Sequence, residues 1–236
     1  MYFDYANPGI LRRLGTGHRV LDVGCGGGAL AEAAQVSGNR VTGVERDFES
    51  AARAAARGVL VVAHDATDLD GLAPRIGGPF DRIVFADLLE HLADPASVLA
   101  GYRRFLAPGG RVLISVPNVA AWTVRLALLC GRFRYADSGI MDRTHLRWFT
   151  CATARELARE AGYRELGFDL TPHLTRAVWP LIKQVFRRGG ETDPGAVLAS
   201  PAYRAYQRWV EPVETALARL WPGLLACQLV LELEPA

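Results

Sequence analysis

The residues with the clearest chemistry lie in Val20-Leu21-Asp22-Val23-Gly24-Cys25-Gly26-Gly27-Gly28-Ala29-Leu30. An apolar run gives way to glycines and then to helix formers. This is the strand, turn and helix start by which a parallel sheet holds an adenosine-containing cofactor. Gly24 and Gly26 permit a sharp turn and close approach of a ligand, and Gly28 lets the following helix pack near the strand. Gly24, Gly26 and Ala29 also satisfy the dinucleotide fingerprint G-x-G-x-x-G/A. Asp22 separates the two readings. A carboxylate just before the glycines repels a pyrophosphate but attracts a ligand that presents an ammonium and a sulfonium there. The turn is therefore read as a site for S-adenosylmethionine. An acidic residue about twenty positions on should take the ribose hydroxyls, and Glu45, which ends Val41-Thr42-Gly43-Val44-Glu45, is placed to do so. Asp65 closes the next apolar run. It is placed for the adenine amino group, with a cap for the next segment as its alternative role.

These residues need a scaffold, and the chain supplies an alternating one. Strands are expected at Arg19 to Val23, Arg40 to Val44, Gly58 to Ala63, Phe80 to Phe85 and Arg111 to Val116. Helices are expected at Ala29 to Ser37, at Phe48 to Arg57 with Asp47 as cap, and from Asp94-Pro95 to about Leu106. Pro108-Gly109-Gly110 should stop that last helix. Strands alternating with helices imply a parallel sheet with helices on both faces and ligands beyond the carboxyl ends of the strands. Tyr2 to Leu14 reads as a helix over a sheet edge, or as an aromatic segment folding over the cofactor mouth. After Pro117-Asn118 the rhythm changes: a helix over Ala120 to Leu129, an Arg- and aromatic-rich stretch to Phe149, a helix over Thr153 to Ala161 and a sixth strand over Arg164 to Leu170. Two helical segments, Thr175 to Phe186 and Ala202 to Leu220, precede a final strand over Cys227 to Leu233.

Composition sets the outer limits. In 236 residues, half of them apolar, one core with an elaboration is the default. A net charge of +2 argues against nucleic acid as partner and gives no electrostatic case for a membrane surface. The four cysteines are scattered without a C-x-x-C pair, which fits a reduced, cytoplasmic protein. No apolar run is long enough to span a bilayer.

Val20 to Leu30 resembles the first motif of the class I S-adenosylmethionine-dependent methyltransferases, and Phe80 to Leu92 the fourth. The segment Leu106-Ala107-Pro108-Gly109-Gly110-Arg111-Val112-Leu113-Ile114 resembles the loop and strand that follow. Leu129 to Tyr135 and Asp142 to Thr150 are similar to a bacterial branch associated with glycan and secondary-metabolite pathways, distantly related to the ubiquinone O-methyltransferases. The resemblance covers about Tyr2 to Asp169. It implies an α/β, Rossmann-like sheet of seven strands whose last strand is antiparallel. Pro172 to Pro222 match no motif of the family; residues 1–171 and 224–236 are read as the core, and 172–223 as a helical lid over the acceptor pocket. The resemblance also implies a cofactor set of Asp22, Gly24, Cys25, Gly26, Gly28, Glu45, Arg46, Asp65, Ala66, Ala86 and Asp87.

Methyl transfer is an in-line displacement at a sulfonium carbon, and alignment of the two partners alone can remove about 7 to 11 kcal/mol of barrier. A hydroxyl acceptor also needs a base. His145 is a candidate, with a structural role in the Arg-rich loop as its alternative. His91 is expected to shape the cofactor site more than to take a proton, and His173 to cap or lie at the surface. Asp87, Glu90 and Asn118 have oxygen donors suited to Mg²⁺, but bonds to backbone amides and cofactor are the simpler role, and no metal is expected. Arg125, Arg132, Arg134, Arg143 and Arg147, interleaved with aromatics, can mean RNA or hold an acidic small-molecule acceptor, and the near-neutral total charge favours the acidic acceptor or a structural network. The basic amphipathic run Arg176 to Arg188 is expected to pack in the lid, with a membrane-surface or dimer contact as its alternative. The competing readings are a nicotinamide oxidoreductase, an RNA methyltransferase and a non-catalytic cofactor-binding subunit. A homodimer is compatible with all of them.

Overall fold

The computed structural model describes residues 6–174 and 205–236. Seven strands form one sheet in the order β3-β2-β1-β4-β5-β7-β6. They are β1 (Arg19–Val23), β2 (Arg40–Glu45), β3 (Leu60–Ala63), β4 (Phe80–Ala86), β5 (Leu106–Pro117), β6 (Tyr163–Pro172) and β7 (Ala226–Pro235). The first five pair in parallel, and β7 runs antiparallel between β5 and β6. The sheet order reverses between β1 and β4, the switch point at which such sheets bind ligands beyond their carboxyl ends.

Side-chain alternation along the strands explains the two cores. Leu21, Val23, Ile83, Phe85, Val112 and Ile114 face one way, and Val20, Val84 and Leu113 the other. On the second face lie α1 (Pro8–Leu14), α2 (Ala29–Val36) and α3 (Phe48–Ala56), whose Ile10, Leu14, Leu30, Ala34 and Ala54 are buried. On the first face lie α4 (Leu69–Ile76), α5 (Pro95–Gly101) and α7 (Cys151–Glu160), through Leu72, Leu99 and Leu157. Helix α6 (Trp122–Leu129) follows β5, and α8 (Glu211–Leu220) and the short α9 (Pro222–Leu225) lead into β7.

Several boundaries differ from the sequence reading. Helix α4 was not anticipated, because Pro74 lies inside it, yet Asp68 caps it by accepting from Gly71 N at 3.1 Å. The helix expected to reach Leu106 ends at Gly101 and tightens into a 3₁₀ turn, Tyr102–Phe105. Pro108-Gly109-Gly110 does not precede β5 but lies within it, absorbed by a shift in its register with β4. Helix α1 packs by Ile10 and Leu14 into the core rather than over an edge. The aromatics Tyr2, Phe3 and Tyr5 lie outside the described residues, as do the run from Arg176 to Arg188 and most of the expected lid.

Candidate active site

Strands β1, β2, β3 and β4 end side by side, so the loops that follow them gather at one place. Gly24 N and Cys25 N both donate to Val44 O, at 2.8 and 3.0 Å, which draws the glycine turn over the end of β2. Glu45 then spans the turn: Oε2 accepts from Gly26 N at 2.9 Å and Oε1 from Asp47 N at 2.8 Å. A cavity of about 280 Å³ opens beside it, lined by the expected Gly24, Glu45, Arg46, Asp65 and Ala66. His91 also lines it, as do Val44, His64, Thr67 and Leu88, which the sequence reading did not single out. Leu88 and Leu92 flank the Glu90-His91 pair. Their only signal is apolar character just past a strand end, which becomes legible once that end is located.

The other expected cofactor residues lie around this cavity rather than in its wall. Asp22 sits one strand in from Glu45 and is buried, with no hydrogen-bond partner for Oδ2 among the described residues. Burial, reinforced by the neighbouring Glu45 carboxylate, pushes its pKa up to about 7. Cys25 is buried against Gly43, where a Cβ would stand 2.6 Å from its Sγ. Gly28 has φ +86°, and a Cβ there would meet Ala54 Cβ at 2.7 Å. Its bareness therefore serves contact with α3, not with the strand as its spacing suggested. Ala86 packs against the α1–α3 core. Asp87 adopts φ 52° and accepts from Gln228 Nε2 and, at 3.1 Å, from Ser115 Oγ, which ties the end of β4 to β7. Asp65 makes a local turn, its Oδ1 accepting from Thr67 N at 2.8 Å and Thr67 Oγ1 at 2.7 Å; the helix cap falls to Asp68.

This arrangement fits S-adenosylmethionine. An orphaned buried carboxylate oxygen at Asp22 is the group a cationic ligand satisfies, and Gly26, at φ +54° with open space at its Cβ position, leaves the backbone approachable.

A second group of side chains adjoins the cavity. The 3₁₀ turn Leu89–His91 is stapled to the loop after α6, because Glu90 O accepts from Leu146 N and Arg147 N at 2.8 and 3.0 Å. This brings His91 and His145 together, ring centroids 4.9 Å apart. Each ring places Nδ1 3.2 Å from a backbone carbonyl, Thr144 O for His91 and Ile140 O for His145. A carbonyl only accepts, so both Nδ1 atoms carry the proton and the basic nitrogen of each neutral ring is Nε2. Burial, helped by the charge of His91, holds His145 below the ordinary histidine range. Beneath them Glu90 is buried with neither carboxylate oxygen hydrogen-bonded among the described residues, and burial with Asp87 nearby raises its pKa well above the usual carboxylate range. Glu90, His91 and His145 place ligand atoms within 4.8 Å of one another, the spacing of a cation site. Asn118 does not belong to that set. Its Nδ2 donates to Ala226 O at 2.8 Å and its Oδ1 accepts from Ala120 N at 3.1 Å, clamping β5 to β7.

The arginines divide as well. Arg125 donates to Ala120 O, Arg143 pairs with Asp137 at 2.6 Å, and Arg147 donates to Ala93 O. Those three hold local structure. Arg132 and Arg134 instead line a second cavity of about 460 Å³ between α6 and the loop that follows. His173 also reaches this cavity, 2.9 Å by Nε2 from Thr123 Oγ1, and is half-buried rather than a surface residue.

A Rossmann-like sheet of seven strands, with a glycine turn and acidic strand ends around a cavity at its switch point, defines a nucleoside-cofactor enzyme of the methyltransferase class. A family model described as a methyltransferase domain matches residues 3–166, and the chain belongs to that family, the class I S-adenosylmethionine-dependent methyltransferases. The chain is 32% identical over 191 residues to the ubiquinone biosynthesis O-methyltransferase of Thiobacillus denitrificans, covering 78% of each. Among solved structures it is similar to a SAM-dependent methyltransferase from Archaeoglobus fulgidus, with a TM-score of 0.60, 18% identity and coverage of 94% and 90% of the two chains. It is also similar to phosphoethanolamine N-methyltransferase 2 of Haemonchus contortus, solved in complex with S-adenosyl-L-methionine, at a TM-score of 0.57 and 21% identity, covering 96% of this chain and 51% of that one. At these identities the structures speak for the fold. The protein is an enzyme and uses S-adenosylmethionine. No helix of the described residues is long and apolar enough to cross a membrane.

Proposed function

We propose that the enzyme transfers the cofactor's methyl group to a hydroxyl oxygen of a small-molecule acceptor, with His145 Nε2 taking the proton. The observation that carries this reading is the pair of Nδ1 atoms held by Ile140 O and Thr144 O, which leaves both basic nitrogens as Nε2. The likeness to relatives named O-methyltransferases favours oxygen over nitrogen. Bound S-adenosylmethionine supplies an electrophilic methyl group. Asp22 holds the cationic end, Glu45 accepts from the ribose hydroxyls in exchange for backbone amides, and Asp65 accepts from the adenine. His91 shapes the wall between cofactor and acceptor, and the depressed basicity of His145 keeps its ring neutral near pH 7, the state in which it accepts a proton. His145→Ala should lower kcat with Kd for the cofactor product nearly intact; unchanged kcat returns the residue to a structural role.

A second reading rests on Glu90, whose unbonded buried oxygens and two histidine neighbours suit a divalent cation that would acidify the acceptor hydroxyl. Loss of turnover in a chelator, restored by Mg²⁺ or Mn²⁺, would favour it over base catalysis. RNA as acceptor predicts affinity that falls steeply with salt, and a non-catalytic partner role predicts cofactor binding without turnover. A cytoplasmic setting is supported by four cysteines that no disulfide joins. A homodimer is supported by the exposed stripe Val213, Leu217 and Leu220 on α8, and light scattering on the purified protein decides it.

A further inference from the structure

The second cavity is built by a chain reversal. Helix α6 ends at Leu129; just beyond it Gly131 takes φ +67°, and Arg132 N reaches back to Ala127 O at 2.8 Å while Gly131 N bonds Leu128 O at 2.9 Å. This double closure is a helix stop that needs a left-handed residue. It turns Arg132, Phe133 and Arg134 back along the helix they follow. The opposite wall comes from Ile140 and Met141, fixed because Ala136 N bonds Met141 O at 2.8 Å and Arg143 N bonds Ala136 O at 3.0 Å. The floor between is apolar, with Val124, Ala127 and Leu128 from α6. At about 460 Å³ the space suits a ring-sized organic molecule.

Its place relative to the histidines gives it a role. Ile140, in this cavity's wall, holds His145 Nδ1 through its carbonyl. His91, against the His145 ring, lines the cofactor cavity, as does Leu146. His91 thus lines the cofactor cavity, and His145, in the wall of neither, is tied to the second cavity through Ile140. Charge then gives it a preference. The other three arginines of this stretch are engaged by Ala120 O, Asp137 and Ala93 O, whereas among the described residues Arg132 and Arg134 take part in no ion pair. Two unspent guanidinium groups at the edge of an apolar cavity recognise an anion on an apolar body.

We infer that the 460 Å³ cavity is the acceptor site and that it selects an amphipathic anion, with an apolar ring in the cavity and a carboxylate or phosphate on Arg132 and Arg134. This rests on the methyltransferase reading only for the word acceptor; the ligand preference stands by itself. Binding is tested first without cofactor, by fluorescence titration with 8-anilinonaphthalene-1-sulfonate and with N-phenyl-1-naphthylamine, the same ring system lacking the sulfonate. In Arg132→Gln/Arg134→Gln the sulfonate probe should lose at least about tenfold in affinity, while the uncharged probe stays within about twofold. Ala127→Phe, which fills the floor, should weaken both, and Arg143→Gln, whose cation is spent on Asp137, neither. Melting curves accompany each variant, so that a dye binding to a loosened fold is recognised. Equal losses for both probes in the arginine variant, or no loss for either, would overturn the anion preference. Unchanged binding in Ala127→Phe would overturn the site. Turnover with 3,4-dihydroxybenzoate against catechol adds the acceptor arm. The arginine variant should raise KM for the carboxylated compound alone, and the carboxylate-bearing substrate bound equally well by the variant contradicts the proposal. Absence of methyl transfer to either compound would count against the hydroxyl-acceptor reading, while the two dyes still decide the cavity's preference.

Discussion

The carboxyl edge of the sheet carries two half-sites built by different means. Around β1, β2 and β3 the loops are short and held close to their own strands: Val44 O takes two amides of the glycine turn, and the Glu45 carboxylate takes two more. Beyond β5 the chain makes a long excursion before returning to the sheet at β6. It is fastened at a distance, by Leu146 N and Arg147 N on Glu90 O and by the Arg147 side chain on Ala93 O. A half held by short local bonds keeps one form, whereas a half fastened by long-range contacts can be recast for a particular acceptor. The contrast also separates the buried carboxylates. Asp22 lies beneath the glycine turn, and Glu90 beside the two histidines.

The largest effect sharpens the division between halves. His145→Ala should lower kcat by about 10²- to 10⁴-fold, the range for loss of a general base, while the product S-adenosylhomocysteine binds as before in calorimetry. A parallel loss of cofactor affinity would merge the two halves. Next comes Gly28→Ala. Its φ of +86° and the approach of Ala54 predict about 1–3 kcal/mol from strain and a similar amount from overpacking, read as a lower melting midpoint. Asn118→Ala should cost about 1–3 kcal/mol, because it strips partners from buried carbonyls at the junction of β5 and β7. Chemical denaturation measures it, and turnover per folded molecule should hold if Asn118 is a clamp and not a ligand. The smallest effect is expected at Tyr102, whose buried hydroxyl donates to Ala66 O at 3.0 Å behind the wall of the first cavity. Tyr102→Phe should cost about 1 kcal/mol of stability and raise Kd for the cofactor product only slightly.

How much could be read in advance follows the same division. The glycine turn, Glu45 and Asp65 were legible because strand ends, φ-permissive residues and a fixed spacing constrain one another over short distances. Helix α4 was hidden by Pro74, and the β5 start by Pro108-Gly109-Gly110, since a breaker seen alone does not reveal that its neighbours still pair. Asp87 was expected in the cofactor set, but its partner Gln228 lies 141 positions away, a contact that only the antiparallel return of β7 creates. The five arginines were alike in sequence, and only their neighbours sort three structural ones from the two at the second cavity.

The central claim is that buried Asp22 grips the cationic end of the cofactor, and a pH series of calorimetric titrations with S-adenosylhomocysteine, which retains the ammonium, tests it most directly. The folded-state pKa of Asp22 is raised from 3.8 to about 7. The neutral acid therefore favours the empty fold, a contribution that is full below the ordinary carboxylate range and lost as pH rises to about 7. A cationic ligand prefers the carboxylate. Affinity in the wild type should thus climb with pH and level off above about 7, with proton release on binding at the lower pH values. Asp22→Asn should bind about 10- to 150-fold more weakly at the plateau, with this rise removed. A wild-type profile that the asparagine variant reproduces in both height and slope would contradict the account.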